Sequence, residues 1–303
     1  MVSVPLAHVA GAFAPLEVLP ITLGAVLYWR RVLTLSWDGR GVPLWRQLCF
    51  GSALVIVSIA LFSPIGHISE ELVIGHMVEH LLIGDIAPLL IVLGLTRSML
   101  QPVLAIRVFK RLEILAHPLV AFPLWAVNFY VWHIPPLYDA AYGTAPIHSL
   151  EHTSFLFFGA LMWMPVFGPL PKPEWFGAGW KVAYVIGVRF TSAILGNVLM
   201  WSGSVLYPIY APGERYWHIS ALADQSTAGV VMMIEGTFLA LGVLAWVFFE
   251  VAREGTEKQD LLDLARERGV ELDERRAGRA VAAGHGALLQ ERLTADEGSP
   301  ERA

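Results

Sequence analysis

The pattern His-x-x-Glu-His occurs twice in this chain, and its copies are His76, Glu79 and His80, and His148, Glu151 and His152. Histidines at positions i and i+4 lie one above the other on the same face of a helix. Neutral imidazole binds copper, zinc, iron and nickel, and a nearby carboxylate can orient an imidazole by accepting its hydrogen bond. The repeated motif therefore predicts a metal site with four histidine ligands and two supporting glutamates. A proton-handling or purely structural polar network is the alternative.

Three other residues are candidates for the same site. His133 ends an apolar run and is a fifth candidate ligand, while Asp224 is a candidate supporting group. Met77 adjoins His76, and its thioether is a donor that copper(I) accepts. Most methionines in apolar helices serve packing instead, so we place Met77 among the supporting residues.

The first motif lies inside an apolar stretch, residues 70–95, that is long enough to cross a bilayer. The whole chain has 303 residues, of which 55% are hydrophobic and 16% charged, and its mean hydropathy is +0.57. Soluble domains carry about 25% charged residues, whereas apolar runs of about 20 residues are typical of membrane spans. The sequence therefore predicts an all-α, multi-pass membrane protein in contact with the lipid bilayer. Ionisable residues inside such spans are costly and usually functional.

We predict a bundle of seven transmembrane helices, at residues 13–29, 48–65, 72–95, 118–134, 148–167, 181–201 and 225–249. Basic residues concentrate in the first, third and fifth loops: Arg30, Arg31, Arg40, Arg46, Arg97, Arg107, Lys110, Arg111, Lys172 and Lys181. By the positive-inside rule, the N-terminus is outside and the C-terminus inside. Eight of the ten histidines, all except His117 and His285, then fall on the extracytoplasmic side.

The composition changes after residue 250, which divides the chain into a membrane domain, 1–250, and a tail, 251–303. The tail is charged and has helical spacing, so we predict a cytoplasmic amphipathic segment that is disordered near residues 296–303. A second amphipathic segment is predicted at residues 96–116. The net charge of −5 gives no reason to expect a nucleic-acid partner.

Three charged residues are predicted near the middle of the membrane: Asp85, Arg189 and Glu235. An unpaired charge at that depth is expensive, so we expect Arg189 to pair with one or both carboxylates. This midplane charge cluster is either a structural ion pair or part of a proton path.

Several other functions can be weighed against a metal site. The single cysteine, Cys49, excludes an internal disulfide framework and a Cys-x-x-Cys motif. His-x-x-Glu-His is also a zinc-protease motif, but here it is duplicated and lies in predicted spans. No nucleophile–base pair or phosphate-binding loop is visible, so we predict a protein that is not an enzyme. A haem site, with His76 opposite His133 or His152, and a transporter of copper or another metal ion are alternatives.

Three blocks of the sequence resemble the CtaG family of bacterial proteins that assemble cytochrome c oxidase. They are residues 75–94 (GHMVEHLLIGDIAPLLIVLG), 132–163 (WHIPPLYDAAYGTAPIHSLEHTSFLFFGALMW) and 221–233 (ALADQSTAGVVMM). The resemblance implies a seven-span protein of the bacterial cell membrane that aids maturation of the oxidase by delivering copper on its outer side. Oxidase subunits and a soluble extracytoplasmic copper donor are the implied partners. The family-type positions are His76, His80, His133, His148, His152, Asp224 and Gln225.

Overall fold

The computed structural model describes residues 10–105, 114–282 and 285–295. Within these ranges the chain is helical and contains no strand, so the all-α prediction is confirmed. The α-helices are α1 (Ala10–Trp37), α2 (Leu44–Phe62), α3 (Pro64–Ser69), α4 (Val73–Leu81), α5 (Ala87–Gly94), α6 (Arg97–Leu104), α7 (Pro118–Trp132), α8 (Pro135–Gly143), α9 (Ala145–Phe167), α10 (Ala178–Trp201), α11 (Ala211–Tyr216), α12 (Ala221–Glu267), α13 (Glu274–Ala282) and α14 (Gly286–Ala295). A π-helical turn, Leu82–Ile86, joins α4 to α5, and a 3₁₀ turn, Pro208–Tyr210, precedes α11.

Among the described residues, five helical segments are long and apolar enough to cross a membrane: Val18–Trp37, Leu44–Phe62, Val73–Gly94, Ala178–Trp201 and Ala221–Glu267. The other two predicted spans fall on α7, an apolar helix of only 15 residues, and on α9, which has 23 residues. The motif residues His148, Glu151 and His152 lie in the first two turns of α9. Because they are polar, they lower the mean hydropathy of this helix. Five candidate spans are therefore found where we predicted seven.

The segment Val73–Gly94, formed by α4, the π-helical turn and α5, is the innermost of these candidate spans. Of its most apolar window, 56% is buried, against 17% to 33% in the other four candidates. Large apolar side chains on the surrounding helices face outward instead, as for Leu19 (67% exposed) and Phe190 (67% exposed). Such an exposed apolar surface suits lipid. The segment with the first motif is therefore enclosed by the rest of the bundle.

Basic side chains gather where α5 ends. Arg46 donates hydrogen bonds to the carbonyl oxygens of Leu93, at 2.9 Å, and Leu95, at 2.6 Å. Arg31 donates to the carbonyl of Ser98 at 2.7 Å. The last carbonyls of a helix have no intrahelical partner and favour positive charge. Helix α1 continues to Trp37 and includes Arg30 and Arg31, which the sequence prediction placed in a loop.

The chain forms two compact units, Met1–Leu239 and Ala240–Ala303, and the boundary falls inside α12. The second unit has a small apolar core of its own, formed by Leu261, Ala265, Val281 and Leu293. The end predicted to be disordered, residues 296–303, lies outside the described residues. Of the predicted amphipathic segment at residues 96–116, residues 106–113 are also outside them, whereas residues 96–105, which include α6, and residues 114–116 are described.

Candidate metal centre

Helix α4 carries His76, Glu79 and His80, and its N-terminus is held by a distant carboxylate. Asp224, near the start of α12, accepts hydrogen bonds from the amides of Val73, at 2.8 Å, and Ile74, at 3.0 Å. The first N–H groups of a helix have no intrahelical partner, and a carboxylate satisfies them. Asp224 therefore caps α4, the helix that carries the first motif.

Helix α9 carries the second motif and lies directly against the first segment. Gly159 of α9 faces the carbonyl of Gly84 in the π-helical turn so closely that a Cβ atom at position 159 would collide with it. A glycine at this contact lets the two backbones approach. The close approach brings the N-terminal turns of α9 beside α4.

The histidines of the two motifs meet between these helices. The ring centroids of His76 and His80 are 4.0 Å apart, and those of His148 and His152 are 4.1 Å apart. Across the helices, His80 and His152 are separated by 5.5 Å, and His76 and His148 by 6.1 Å. These four rings, with Glu79, Glu151 and His133, are called the histidine cluster below.

Each glutamate of the histidine cluster faces a histidine on the opposite helix. The distance from Glu151 Oε1 to His80 Nε2 is 3.7 Å, and that from Glu79 Oε2 to His152 Nε2 is 3.9 Å. Two sets of three residues have ligand atoms that all lie within 4.8 Å of one another: His76, His80 and Glu151, and His76, Glu79 and His148. His76 belongs to both sets. The geometry therefore allows glutamate to be a ligand, whereas the sequence suggested only a supporting role.

His133, the fifth candidate ligand, is fixed in one tautomer. Its Nδ1 lies 2.7 Å from the carbonyl oxygen of Phe129. Because a carbonyl can only accept, Nδ1 carries the hydrogen and Nε2 has an available lone pair. The ring centroid of His133 is 6.3 Å from that of His80. His133 therefore lies beside the four motif histidines with a nitrogen suited to bind a metal ion.

The polar side chains of the histidine cluster are buried, and several of their atoms lack a hydrogen-bond partner. Glu151 is 0% exposed and Glu79 is 2% exposed. Within the described part of the chain, no hydrogen-bond partner is found for His76 Nε2, for either ring nitrogen of His80, for His133 Nε2 or for either carboxylate oxygen of Glu151. A buried polar atom without a partner costs roughly 1–3 kcal/mol, and more when it is charged. A bound cation would supply a partner for several of these atoms at once.

The predicted midplane charge cluster includes Asp85, which lies further along the same segment in the π-helical turn. Arg189 donates a hydrogen bond of 2.6 Å to Asp85, and its Nη1 is 3.7 Å from Glu235 Oε2. The indole N–H of Trp163 donates to Asp85 Oδ1 at 2.9 Å. The structure thus brings the three residues together around Asp85 in the π-helical turn.

A sequence model of the family described as cytochrome c oxidase caa3 assembly factor, Caa3_CtaG, matches residues 26–254 of this chain. The chain belongs to this family. No curated protein and no solved structure matches it.

The Caa3_CtaG match covers every residue of the histidine cluster and of the midplane charge cluster. The family resemblance predicted from the three sequence blocks is therefore confirmed, and the match extends it toward the N-terminus. Gln225, another family-type position, orders the segment before α11. Its side chain bonds to the backbone of Leu206 at 2.7 Å, of Ser204 at 3.2 Å and of Leu199 at 3.3 Å.

Sequence reasoning missed three tyrosines that cover the histidine cluster in this Caa3_CtaG protein. The ring centroid of Tyr138, on α8, is 4.8 Å from that of His76, and its hydroxyl is 2.8 Å from that of Tyr210. Tyr207 stacks on Tyr138 at 4.1 Å and donates a hydrogen bond of 2.8 Å to the carbonyl of His133. Burial raises the pKa of Tyr138 and Tyr210 well above the usual range. No spacing pattern linked these residues to the motifs, because they lie in connecting segments.

Proposed function

We propose that this cytochrome c oxidase assembly factor binds copper in the histidine cluster and aids maturation of the copper centres of the oxidase. The observation that carries the proposal is the convergence of both motifs, whose ligand atoms approach within 4.8 Å of one another in a buried site. Metal–nitrogen and metal–oxygen bonds are about 2 Å long. Atoms at such separations can therefore share one ion after small rotamer changes.

The donor types support copper and leave zinc as a competitor. Imidazole and carboxylate bind both metals, and affinity generally increases toward copper. The family adds a reason for copper, because it is described by its role in assembling an oxidase.

We propose that the histidine cluster lies in the extracytoplasmic half of a seven-span bundle with its N-terminus outside and its C-terminus inside. The basic residues around Leu93 and Leu95 support this orientation. Leu93, whose carbonyl accepts from Arg46, lies 13 residues beyond His80, or about 20 Å along the helical segment at 1.5 Å per residue. By the positive-inside rule, that end faces the cytoplasm. In this proposal α7 and α9 are the two remaining spans.

We further propose that the protein acts as a metal chaperone of the bacterial cell membrane rather than as an enzyme or a transporter. Its partners are then oxidase subunits and a soluble copper donor. A transporter needs a polar path through the inner half of the membrane. Below the histidine cluster, the described charged residues are mostly engaged with one another, as Arg189 is with Asp85 at 2.6 Å.

Metal analysis of the purified full-length protein tests the copper proposal. We expect copper in the wild type and its loss from the variant His76→Ala/His80→Ala. The matched control is His67→Ala, because His67 is exposed on α3. Equal copper content in the wild type and the double variant would overturn the ligand assignment.

Deletion of the gene separates the two cellular roles. A chaperone predicts lower oxidase activity that returns with the wild-type gene and not with His76→Ala/His80→Ala. Unchanged oxidase activity with loss of copper export would instead identify a transporter.

A further inference from the structure

A small cavity of about 30 Å³ lies between the histidine cluster and the midplane charge cluster. His80 and His133 of the histidine cluster and Asp85 and Glu235 of the midplane charge cluster all line it. A cavity needs roughly 10–15 Å³ to hold one water-sized particle. The space therefore suits a single ion or one to two water molecules.

Two thioethers also line this cavity. Met77, on α4, is 1% exposed, and Met232, on α12, is 4% exposed. They come from helices far apart in the sequence and reach the same space as His80. Thioether sulfur is a soft ligand that selects copper(I) and is a poor ligand for hard ions. An apolar cavity could be lined by hydrophobic side chains without sulfur. The combination of thioether, imidazole and carboxylate groups around one cavity therefore points to a metal site.

The charges around the cavity favour a monovalent cation. The single positive charge of Arg189 can neutralise only one of the two carboxylates Asp85 and Glu235, so the second needs a proton or another cation. Asp85 is engaged by Arg189 and Trp163, whereas Glu235 Oε1 has no hydrogen-bond partner among the described residues. A monovalent ion that displaces this proton leaves the region neutral, whereas a divalent ion leaves an excess positive charge. Net charge inside a membrane protein is costly.

We infer that this cavity is a second metal site, which holds one copper(I) ion through the sulfur atoms of Met77 and Met232, with Glu235 and an imidazole completing the ligands. The inference rests on the proposed copper function and adds a site of different chemistry below the histidine cluster. His80 borders both sites, so an ion can pass between them by exchange of ligands around one imidazole. No change of oxidation state is required. Because thioether sulfur favours copper(I), this second site would select copper(I) over zinc.

X-ray absorption of selenomethionine-labelled, full-length protein loaded with copper(I) tests the second site. Ascorbate keeps the metal reduced without adding a thiol, and selenium distinguishes methionine from Cys49. We expect copper–selenium scattering in the labelled wild type. We expect that signal to disappear, with the loss of one copper equivalent, in Met77→Leu/Met232→Leu. The matched control is Met99→Leu/Met162→Leu, which replaces two other buried methionines and should retain the signal.

The outcomes separate the two proposals. Copper bound only by nitrogen and oxygen in the wild type overturns the second site and leaves the histidine cluster intact; a proton on Glu235 then balances the charge. Absence of any bound copper overturns the proposed function itself. Zinc content reports whether the double methionine variant is folded, because zinc binding in the histidine cluster should not change. If that variant loses zinc as well, it is misfolded and its copper content is not informative. The presence or absence of copper–selenium scattering in the labelled wild type then decides whether the second site exists.

Discussion

The carboxylate of Asp224 accepts a hydrogen bond of 2.8 Å from the backbone amide of Val73, a residue 151 positions earlier in the chain. Val73 is the first residue of α4, the helix that carries the first metal-binding motif. A negative charge at a helix N-terminus also interacts favourably with the helix dipole. This long-range cap ties α12 to the helix that presents His76, Glu79 and His80.

Removal of the cap should weaken both folding and metal binding. We expect Asp224→Ala to destabilise the protein by about 1–2 kcal/mol, the usual cost of losing a helix cap. Thermal unfolding in detergent measures the stability, and copper titration measures the affinity. The control is Asp260→Ala, because Asp260 is exposed in the second unit. An Asp224→Ala variant with wild-type stability and affinity would show that α4 does not need this cap.

Arg189 should matter more for stability than either carboxylate beside it. In Arg189→Ala, both Asp85 and Glu235 lose their positive partner in a buried setting, and breaking one side of a buried pair costs about 3–5 kcal/mol. Glu235→Gln removes one of two negative charges and should have a much smaller effect. Unfolding measurements on the two variants provide the comparison. The control is Arg215→Ala, because Arg215 is exposed. Equal losses of unfolding free energy in Arg189→Ala and Glu235→Gln would contradict this account.

The helices and the motif faces could be predicted from the sequence, but the way the helices pair could not. Apolar runs marked the segment Val73–Gly94 to within a residue at each end, and the i,i+4 spacing placed His76 and His80 on one face. The contact between Gly84 and Gly159 depends on the absence of side chains, which leaves no periodic signal. The same is true of the cap from Asp224, whose partners are backbone amides.

Local details of the site were also beyond the sequence. The tautomer of His133 depends on the carbonyl of Phe129, and the covering tyrosines belong to connecting segments without a regular pattern. Helix α1 runs past Arg30 and Arg31 because arginine is a good helix former. It ends near Gly39, whose φ of +70° lies in the left-handed region that glycine adopts readily.

A side chain at position 159 should separate the two motif helices. Gly159→Ala places a Cβ against the carbonyl of Gly84, and overpacking of this kind costs about 1–3 kcal/mol. We expect a lower unfolding temperature together with weaker copper binding. The control is Gly179→Ala on α10, where a Cβ meets nothing within 4 Å. Unchanged copper binding in Gly159→Ala would show that the histidine cluster tolerates movement between α4 and α9.

The covering tyrosines should make the protein sensitive to alkaline pH. Burial raises the pKa of Tyr138 well above its usual range, and the nearby Tyr210 hydroxyl adds to the shift. The folded protein then retains a proton that the unfolded chain releases above about pH 10. Because the folded state binds more protons, stability is full below that pH and falls as the pH rises further.

Unfolding temperature measured between about pH 8 and pH 11 tests this dependence. Tyr138→Phe should flatten the alkaline decline, since phenylalanine has no proton to lose. Tyr216→Phe is the control because Tyr216 is 72% exposed. An identical alkaline decline in the wild type and Tyr138→Phe would exclude Tyr138 as its source.

The central claim is that the two His-x-x-Glu-His motifs form one copper site. Its most direct test is the copper content of the second-motif variant His148→Ala/His152→Ala, with the first motif intact and His285→Ala as an exposed control. A shared site predicts that this variant loses copper from the histidine cluster as fully as His76→Ala/His80→Ala does. Full copper content in His148→Ala/His152→Ala would contradict the account.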